Sequence, residues 1–131
     1  MSVELALLAP ALLLLLGFAV VAGRTQVAEA AVEEAARAAA REASLARNAA
    51  TARTSATAQA QATLAVQDLR CQATTVEVDT AGFLAAPGQP GDVTVTITCV
   101  VGMADVLAPG LPGAVTVQGA FTSPVDAYRE R

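Results

Sequence analysis

The chain has 131 residues, of which 54% are hydrophobic, 3% are aromatic and 15% are charged. Because alanine supplies much of the apolar fraction and aromatic side chains are few, this composition argues against a compact enzyme with a large core. The absence of histidine removes the usual general base and the commonest metal ligand, and the net charge of −4 argues against a nucleic-acid partner.

The first predicted element is an apolar helix. Residues 5–22 read LALLAPALLLLLGFAVVA and carry no charge. A helix of this length measures about 27 Å, close to the hydrocarbon thickness of a bilayer. The run ends in Val20-Val21-Ala22, which a signal peptidase could accept, but it is longer than a typical signal-peptide core and has no basic segment ahead of it. We therefore predict a retained transmembrane helix over residues 1–23, with a cleaved signal peptide as the alternative.

Two residues are unusual in such a helix, Glu4 and Pro10. A carboxylate in a first helical turn is stabilised by the helix dipole, so Glu4 fits an interfacial acid. It also fits a carboxylate that pairs with a positive group of a neighbouring chain, such as its amino terminus, and that couples to assembly. Pro10 removes a backbone hydrogen bond to Ala6, and a kink or a loosened turn is expected there.

Helical propensity continues beyond the apolar segment. Residues 24–47 are rich in strong helix formers and contain neither proline nor glycine. A narrow stripe at helical spacing predicts packing against another helix, within or between chains, with a solvated alanine helix as the alternative. The stripe consists of Val27, Ala31, Ala35, Ala38 and Leu45. A second helix is predicted over residues 51–67, capped by Asn48 or Thr51, and a single continuous helix is the alternative.

The remainder of the chain alternates in the manner of strands. Three segments, 73–79, 92–101 and 114–121, each place apolar side chains on one face. Four Pro-Gly pairs between and around them predict turns. The predicted fold is therefore α+β: a long N-terminal transmembrane or amphipathic helix, a second helix and a small three-stranded antiparallel sheet.

The two cysteines bear on the compartment. Pairing of Cys71 with Cys99 would close a loop of about 29 residues and stabilise the sheet region by about 3 to 4 kcal/mol, whereas two unpaired buried cysteines are the alternative. A disulfide requires an oxidising exterior, so the C-terminal region is predicted to lie outside the cytoplasm with the N-terminus inside. The predicted domains are a transmembrane helix (1–23), an extracytoplasmic alanine-rich helical stalk (24–70) and a small disulfide-linked β head (71–131).

The residue pattern does not indicate a catalytic site. Ser123 and Asp126 have no histidine or lysine to complete a nucleophilic site, and the carboxylates show no metal-ligand spacing. No glycine-rich phosphate loop follows a strand. We therefore predict no enzyme activity, no cofactor, no metal, and neither a nucleic-acid nor a small-molecule partner. Asp126, Tyr128 and Arg129 fit a polar surface tail, with a docking motif as the alternative.

The opening SVELALLAPALLLLLGFAVVAGR, the alanine- and arginine-rich helix, the cysteines flanking a β region and the closing SPVDAYR together resemble a known family. They are similar to the TadE-like minor pilins of the tight-adherence (Tad or Flp) pilus system, in the alanine-rich form typical of actinobacteria. Glu4 resembles the glutamate that type IV pilins carry just inside their mature end. The given sequence has only Met1, Ser2 and Val3 before Glu4 and no glycine, so three alternatives stay open: a start inside a longer leader, a trimmed sequence, or no processing by a prepilin peptidase.

The resemblance implies a pilin-like, membrane-anchored subunit that supports assembly or initiation of a surface pilus. Its expected partners are membrane lipid and other pilin or pilus-assembly subunits, which it would contact through the N-terminal helix. The expected location is the cytoplasmic membrane, crossed once. Two other functions stay open: a secreted binding domain released after Ala22, and a single-span envelope scaffold without a filament.

Overall fold

The computed structural model describes residues 2–127. Two helices, α1 (Ser2–Ser44) and α2 (Ala49–Val66), precede three strands, β1 (Ala73–Asp79), β2 (Asp92–Gly102) and β3 (Ala114–Pro124). A short 3₁₀ helix (Ala81–Leu84) lies between β1 and β2, and the single-turn helix α3 (Met103–Val106) follows β2. The predicted α+β class, with two helices ahead of a three-stranded antiparallel sheet, is confirmed.

Helix α1 continues unbroken from the apolar segment into the alanine-rich segment, and the chain reverses after it. At 43 residues α1 is about 64 Å long. The next helix begins after Asn48, whose Oδ1 accepts a hydrogen bond from the amide of Thr51 at 2.9 Å. Asn48 is therefore the N-cap, and the chain forms two helices that pack as a hairpin.

The buried face of the hairpin is built almost entirely from alanine. On α1 it comprises Ala28, Ala31, Val32, Ala35, Ala36, Ala39, Ala40 and Ala43; on α2 it comprises Ala52, Ala56, Ala60 and Leu64. The α2 residues recur every fourth position, which is the spacing of a single helical ridge. Because alanine has no long side chain to hold two backbones apart, this spacing allows the helices to approach closely.

The stripe predicted for α1 is partly wrong. Ala31 and Ala35 are buried and Ala38 is half-buried, but Val27 and Leu45 are 71% and 76% exposed. Val27 precedes the first buried position of α1, and Leu45 follows the last residue of α1 in the turn to α2. Burial is decided by where the partner elements begin and end, so the larger side chains at both ends of the stripe stay outside.

The sheet is an antiparallel meander in the order β1-β2-β3. Val76 of β1 and Gly119 of β3 flank Ile97 of β2 in the register. On β2 the side chains facing the helices are fully or almost fully buried: Val93, Val95, Ile97, Cys99 and Val101. The opposite face carries threonines, of which Thr94 and Thr122 hydrogen-bond at 2.8 Å across β2 and β3. The alternation predicted for β2 is therefore confirmed.

Helix α1 packs directly on the sheet at Gly119. A Cβ atom at this position would lie 2.9 Å from the amide nitrogen of Glu33 and 3.0 Å from the carbonyl carbon of Val32. Two residues further along β3, the guanidinium carbon of Arg37 lies 5.4 Å from the ring centroid of Phe121. The C-terminal half of α1, helix α2 and the sheet thereby share one hydrophobic core; the domain division at residues 23 and 70 stays a prediction.

Candidate membrane and assembly surface

The N-terminal half of α1 carries the largest exposed apolar surface of the described chain. Residues 2–20 are exposed at every position, and among the described residues the first buried one is Ala28. Its large apolar side chains are 48–76% exposed: Val3, Leu5, Leu7, Leu8, Leu12, Leu13, Leu14, Leu15, Leu16, Phe18 and Val20. The most apolar 18-residue window has a mean hydropathy of 2.7 and is 0% buried. Water is a poor solvent for such a surface, so lipid or other apolar helices must cover it.

Helix α1 therefore has two sections with different surroundings. The section over residues 2–27 is about 39 Å long and contains no buried residue, whereas the section over residues 28–44 contributes to the packed core. The first length exceeds the hydrocarbon thickness of a bilayer, about 30 Å. By length and composition, this section is suited to be a membrane anchor.

Glu4 lies in the first turn of α1, at the far end of the exposed section. Within residues 2–127 no basic side chain forms an ion pair with it. The first arginine along the helix is Arg24, about 30 Å away along the axis. A cation that neutralises Glu4 must therefore come from outside the described part of this chain, and its proposed role in assembly stays a prediction.

Pro10 lies on the same exposed section, inside α1. The helix continues through it from Ser2 to Ser44. Pro10 is separated from Glu4 by about 9 Å along the axis, and both are distant from the sheet. The two candidate assembly residues therefore share one surface with the apolar side chains, and neither belongs to the packed core.

The disulfide predicted between Cys71 and Cys99 is present. Its Cα atoms are 5.4 Å apart, and Cys99 is completely buried on the helix-facing side of β2. The amide of Gln72 donates a hydrogen bond to the carbonyl of Val100 at 2.7 Å. The disulfide thus links the segment between α2 and β1 to β2, two residues before β1 begins.

A groove of about 650 Å³ lies at the base of the packed core, beside the start of its α1 section. Two arginines and two aspartates line it: Arg24, Arg70, Asp68 and Asp105. The formal charges of these four side chains cancel. Among the described residues, no group of three or more acidic, cysteine or histidine side chains could hold a metal.

A second apolar surface was missed in the sequence. Residues 107–113, here named the apolar loop, read LAPGLPG between α3 and β3. An open cleft of about 620 Å³ is lined on one side by Leu107, Ala108 and Pro109 and on the other by α1 residues between Leu13 and Arg24. Pro109-Gly110 forms the predicted turn and Gly113 forms a bend, whereas Leu107 and Leu111, on either side of Pro109-Gly110, were the signal for an additional surface.

Comparison with known proteins shows a family match for most of α1. Residues 1–41 match the model of the TadE-like protein family. The resemblance to TadE-like proteins is thereby confirmed over the exposed section of α1 and most of its alanine face. No curated protein and no solved structure matches the chain. The match ends before α2, and Tyr128 and Arg129 of the predicted polar tail lie outside the described residues.

Proposed function

We propose that this chain is a membrane-anchored minor pilin that supports assembly or initiation of a Tad/Flp-type surface pilus, and that its role is structural and not catalytic. The observation that carries the proposal is the exposed apolar section of α1, which bears Glu4 in its first turn and lies within the TadE-like match. A pilus-associated protein needs such a surface in two settings, because the helix must be held in lipid and must also pack against other subunits.

The energetics support a helix that is transferred between the two settings. Full burial of one large aliphatic side chain contributes about 1.5 to 3 kcal/mol, and the exposed section carries many of them. Lipid and a bundle of apolar helices are nearly equivalent solvents for these side chains, so transfer between them loses little apolar burial. Glu4 is the exception, since a carboxylate in hydrocarbon requires a positive partner.

The proposed orientation places the N-terminus in the cytoplasm and the packed core outside. It is supported by the Cys71–Cys99 disulfide, because disulfides persist in oxidising compartments. The anchor would then cross the cytoplasmic membrane once, with lipid and the helices of other pilin subunits as its partners.

Glu4→Ala tests the proposal. The variant should fractionate with the membrane as the wild type does, because the apolar side chains that hold the helix in lipid are unchanged, but it should lower the number of pili per cell. Glu29→Ala is the matched control, since Glu29 is also an exposed acid on α1 but follows the apolar segment. Normal pilus numbers with Glu4→Ala would contradict the assembly role. Membrane fractionation without co-purification of pilus components would favour an envelope scaffold.

A secreted binding domain is the second candidate function. The observation that favours it is the absence of buried residues before Ala28 in the described chain, so cleavage after Ala22 would leave the core intact. Sequencing the N-terminus of the exported protein separates the two functions. A start at Gly23 would exclude the anchored pilin.

A further inference from the structure

The apolar loop lies beside the membrane-anchor section of α1. The cleft between them is lined by Leu107, Ala108 and Pro109 on the loop side, and the α1 side extends from Leu13 to Arg24. Most of these α1 residues belong to the proposed transmembrane segment. If α1 crosses the bilayer through this segment, the loop meets the outer boundary of the same bilayer.

We propose that the apolar loop is a second membrane contact, which inserts shallowly into the outer leaflet next to α1. The inference rests on the proposed membrane anchor and adds a lipid-binding surface to the packed core. The loop would bind lipid at the boundary between headgroups and acyl chains, where apolar side chains of peripheral segments are buried by about 5 to 10 Å.

The side chains of the loop suit this boundary. Leu111 is 44% exposed, Leu107 is half-buried, and the chain from Val106 to Val125 contains no charged residue. A loop directed to water at this length would usually carry polar or charged side chains. Nothing in the loop would have to be neutralised before lipid covers it.

The backbone amides of the loop also suit a lipid environment. In hydrocarbon an unpaired amide costs several kcal/mol. The amides of Leu107 and Ala108 both donate to the carbonyl of Met103, at 2.8 and 3.3 Å, and the amide of Leu111 donates to Ala108 at 3.3 Å. Pro109 and Pro112 have no amide hydrogen to satisfy. Most donors of the loop are therefore paired or absent, which lowers the cost of leaving water.

The neighbouring charges fix how deep the loop can enter. Arg24 lines both the groove at the base of the packed core and the end of the cleft farthest along α1 from Leu13, and Asp105 also lines the groove. Charged groups are costly at mid-membrane and tolerated at the interface, so these residues stop the core at the headgroups. The loop is then immersed and the sheet stays in water.

Tryptophan fluorescence tests the inference, because the chain contains no tryptophan. Three single-tryptophan variants of the full chain are reconstituted in phosphatidylcholine vesicles: Leu111→Trp in the loop, Leu16→Trp in the anchor and Leu45→Trp in the turn after α1. All three replace exposed leucines. Leu45 lies about 35 Å beyond the end of the apolar segment, so it reports water. Lipids brominated on the acyl chains near the glycerol quench from the membrane side, and iodide quenches from the water side.

The expected result is loss of Leu111→Trp and Leu16→Trp emission with brominated lipid, and loss of Leu45→Trp emission with iodide alone. Quenching of Leu111→Trp by iodide but not by brominated lipid would overturn the inference. Shielding of Leu111→Trp from both quenchers would also overturn it, since protein would then cover the loop. Failure of brominated lipid to quench Leu16→Trp would refute the anchor itself. Ala108→Trp, at another exposed loop position, provides a second probe if Leu111→Trp does not form the disulfide.

Discussion

Gly119 determines how closely α1 approaches the sheet. Its hydrogen faces the backbone of Glu33 and Val32, where a Cβ atom would lie at 2.9 to 3.0 Å. Backbone atoms cannot rotate away as a flexible side chain can, so a larger residue must displace the helix. The neighbouring contact of Arg37 with Phe121 depends on the same approach.

Gly119→Ala is therefore expected to destabilise the packed core by about 1 to 3 kcal/mol, the usual cost of overpacking. Urea denaturation of the protein in detergent, followed by circular dichroism, measures the change. Gly17→Ala is the matched control because a Cβ atom there meets nothing within 4 Å. Equal stability of Gly119→Ala and Gly17→Ala would contradict the close approach of α1 to β3.

At the scale of elements, the disulfide links β1 to β2 in a region with little apolar mass. The side chains of Val76 and Val78 on β1 are half-buried, so burial alone holds this strand weakly. β1 also lies at an edge of the sheet and pairs only with β2. Cross-linking residues 28 positions apart limits the unfolded chain and favours the paired strand.

Removal of the disulfide is expected to cost about 2 to 5 kcal/mol of unfolding free energy. Comparing oxidised and reduced wild-type protein in urea measures this cost without changing any side chain. Cys71→Ser is the complementary variant, because Cys71 is partly exposed whereas Cys99 is completely buried. A midpoint unchanged by reduction would indicate that packing of β2 against α1 is sufficient for stability.

The elements that were predictable from sequence are those with one strong periodicity. The bounds predicted for β1, residues 73–79, are those observed, because alternation of valine with polar residues is unambiguous. The alanine face of α1 was not predictable in detail. Alanine occupies buried and exposed positions alike, so hydropathy could not separate the buried Ala28 from the exposed Ala30 or predict that the sheet would cover Val32.

The candidate membrane surface was also predictable only where the sequence carries one strong signal. A long uncharged run identifies an apolar helix regardless of its neighbours, so the section with Glu4 and Pro10 was found directly. The apolar loop was not found, because its proximity to residues between Leu13 and Arg24 depends on α1 being a single unbroken helix and on where β2 ends. Such proximity is tertiary information that seven loop residues do not contain.

At the scale of the whole molecule, one helix joins two parts that require different solvents. Residues 2–20 of α1 are exposed at every position, and the alanine face that begins at Ala28 belongs to the core of the hairpin and sheet. The core therefore does not depend on the anchor for its packing. In contrast, residues 2–27 contain no buried residue, and the apolar loop lies beside part of this section.

A fragment that begins at Arg24 is accordingly expected to fold in water, to form the Cys71–Cys99 disulfide and to unfold with a free energy within about 0.5 kcal/mol of the full chain, as is usual for changes that leave the core intact. A fragment that begins at Glu33 is the matched control, because it also lacks the anchor but loses the buried residues Ala28, Ala31 and Val32. It should be much less stable, since Val32 is completely buried and its backbone lies against Gly119 of β3. Circular dichroism during urea denaturation distinguishes the two. If the Arg24 fragment were as unstable as the Glu33 fragment, the apolar section of α1 would be part of the folding unit, and a helix that moves between lipid and other subunits could not be independent of the core.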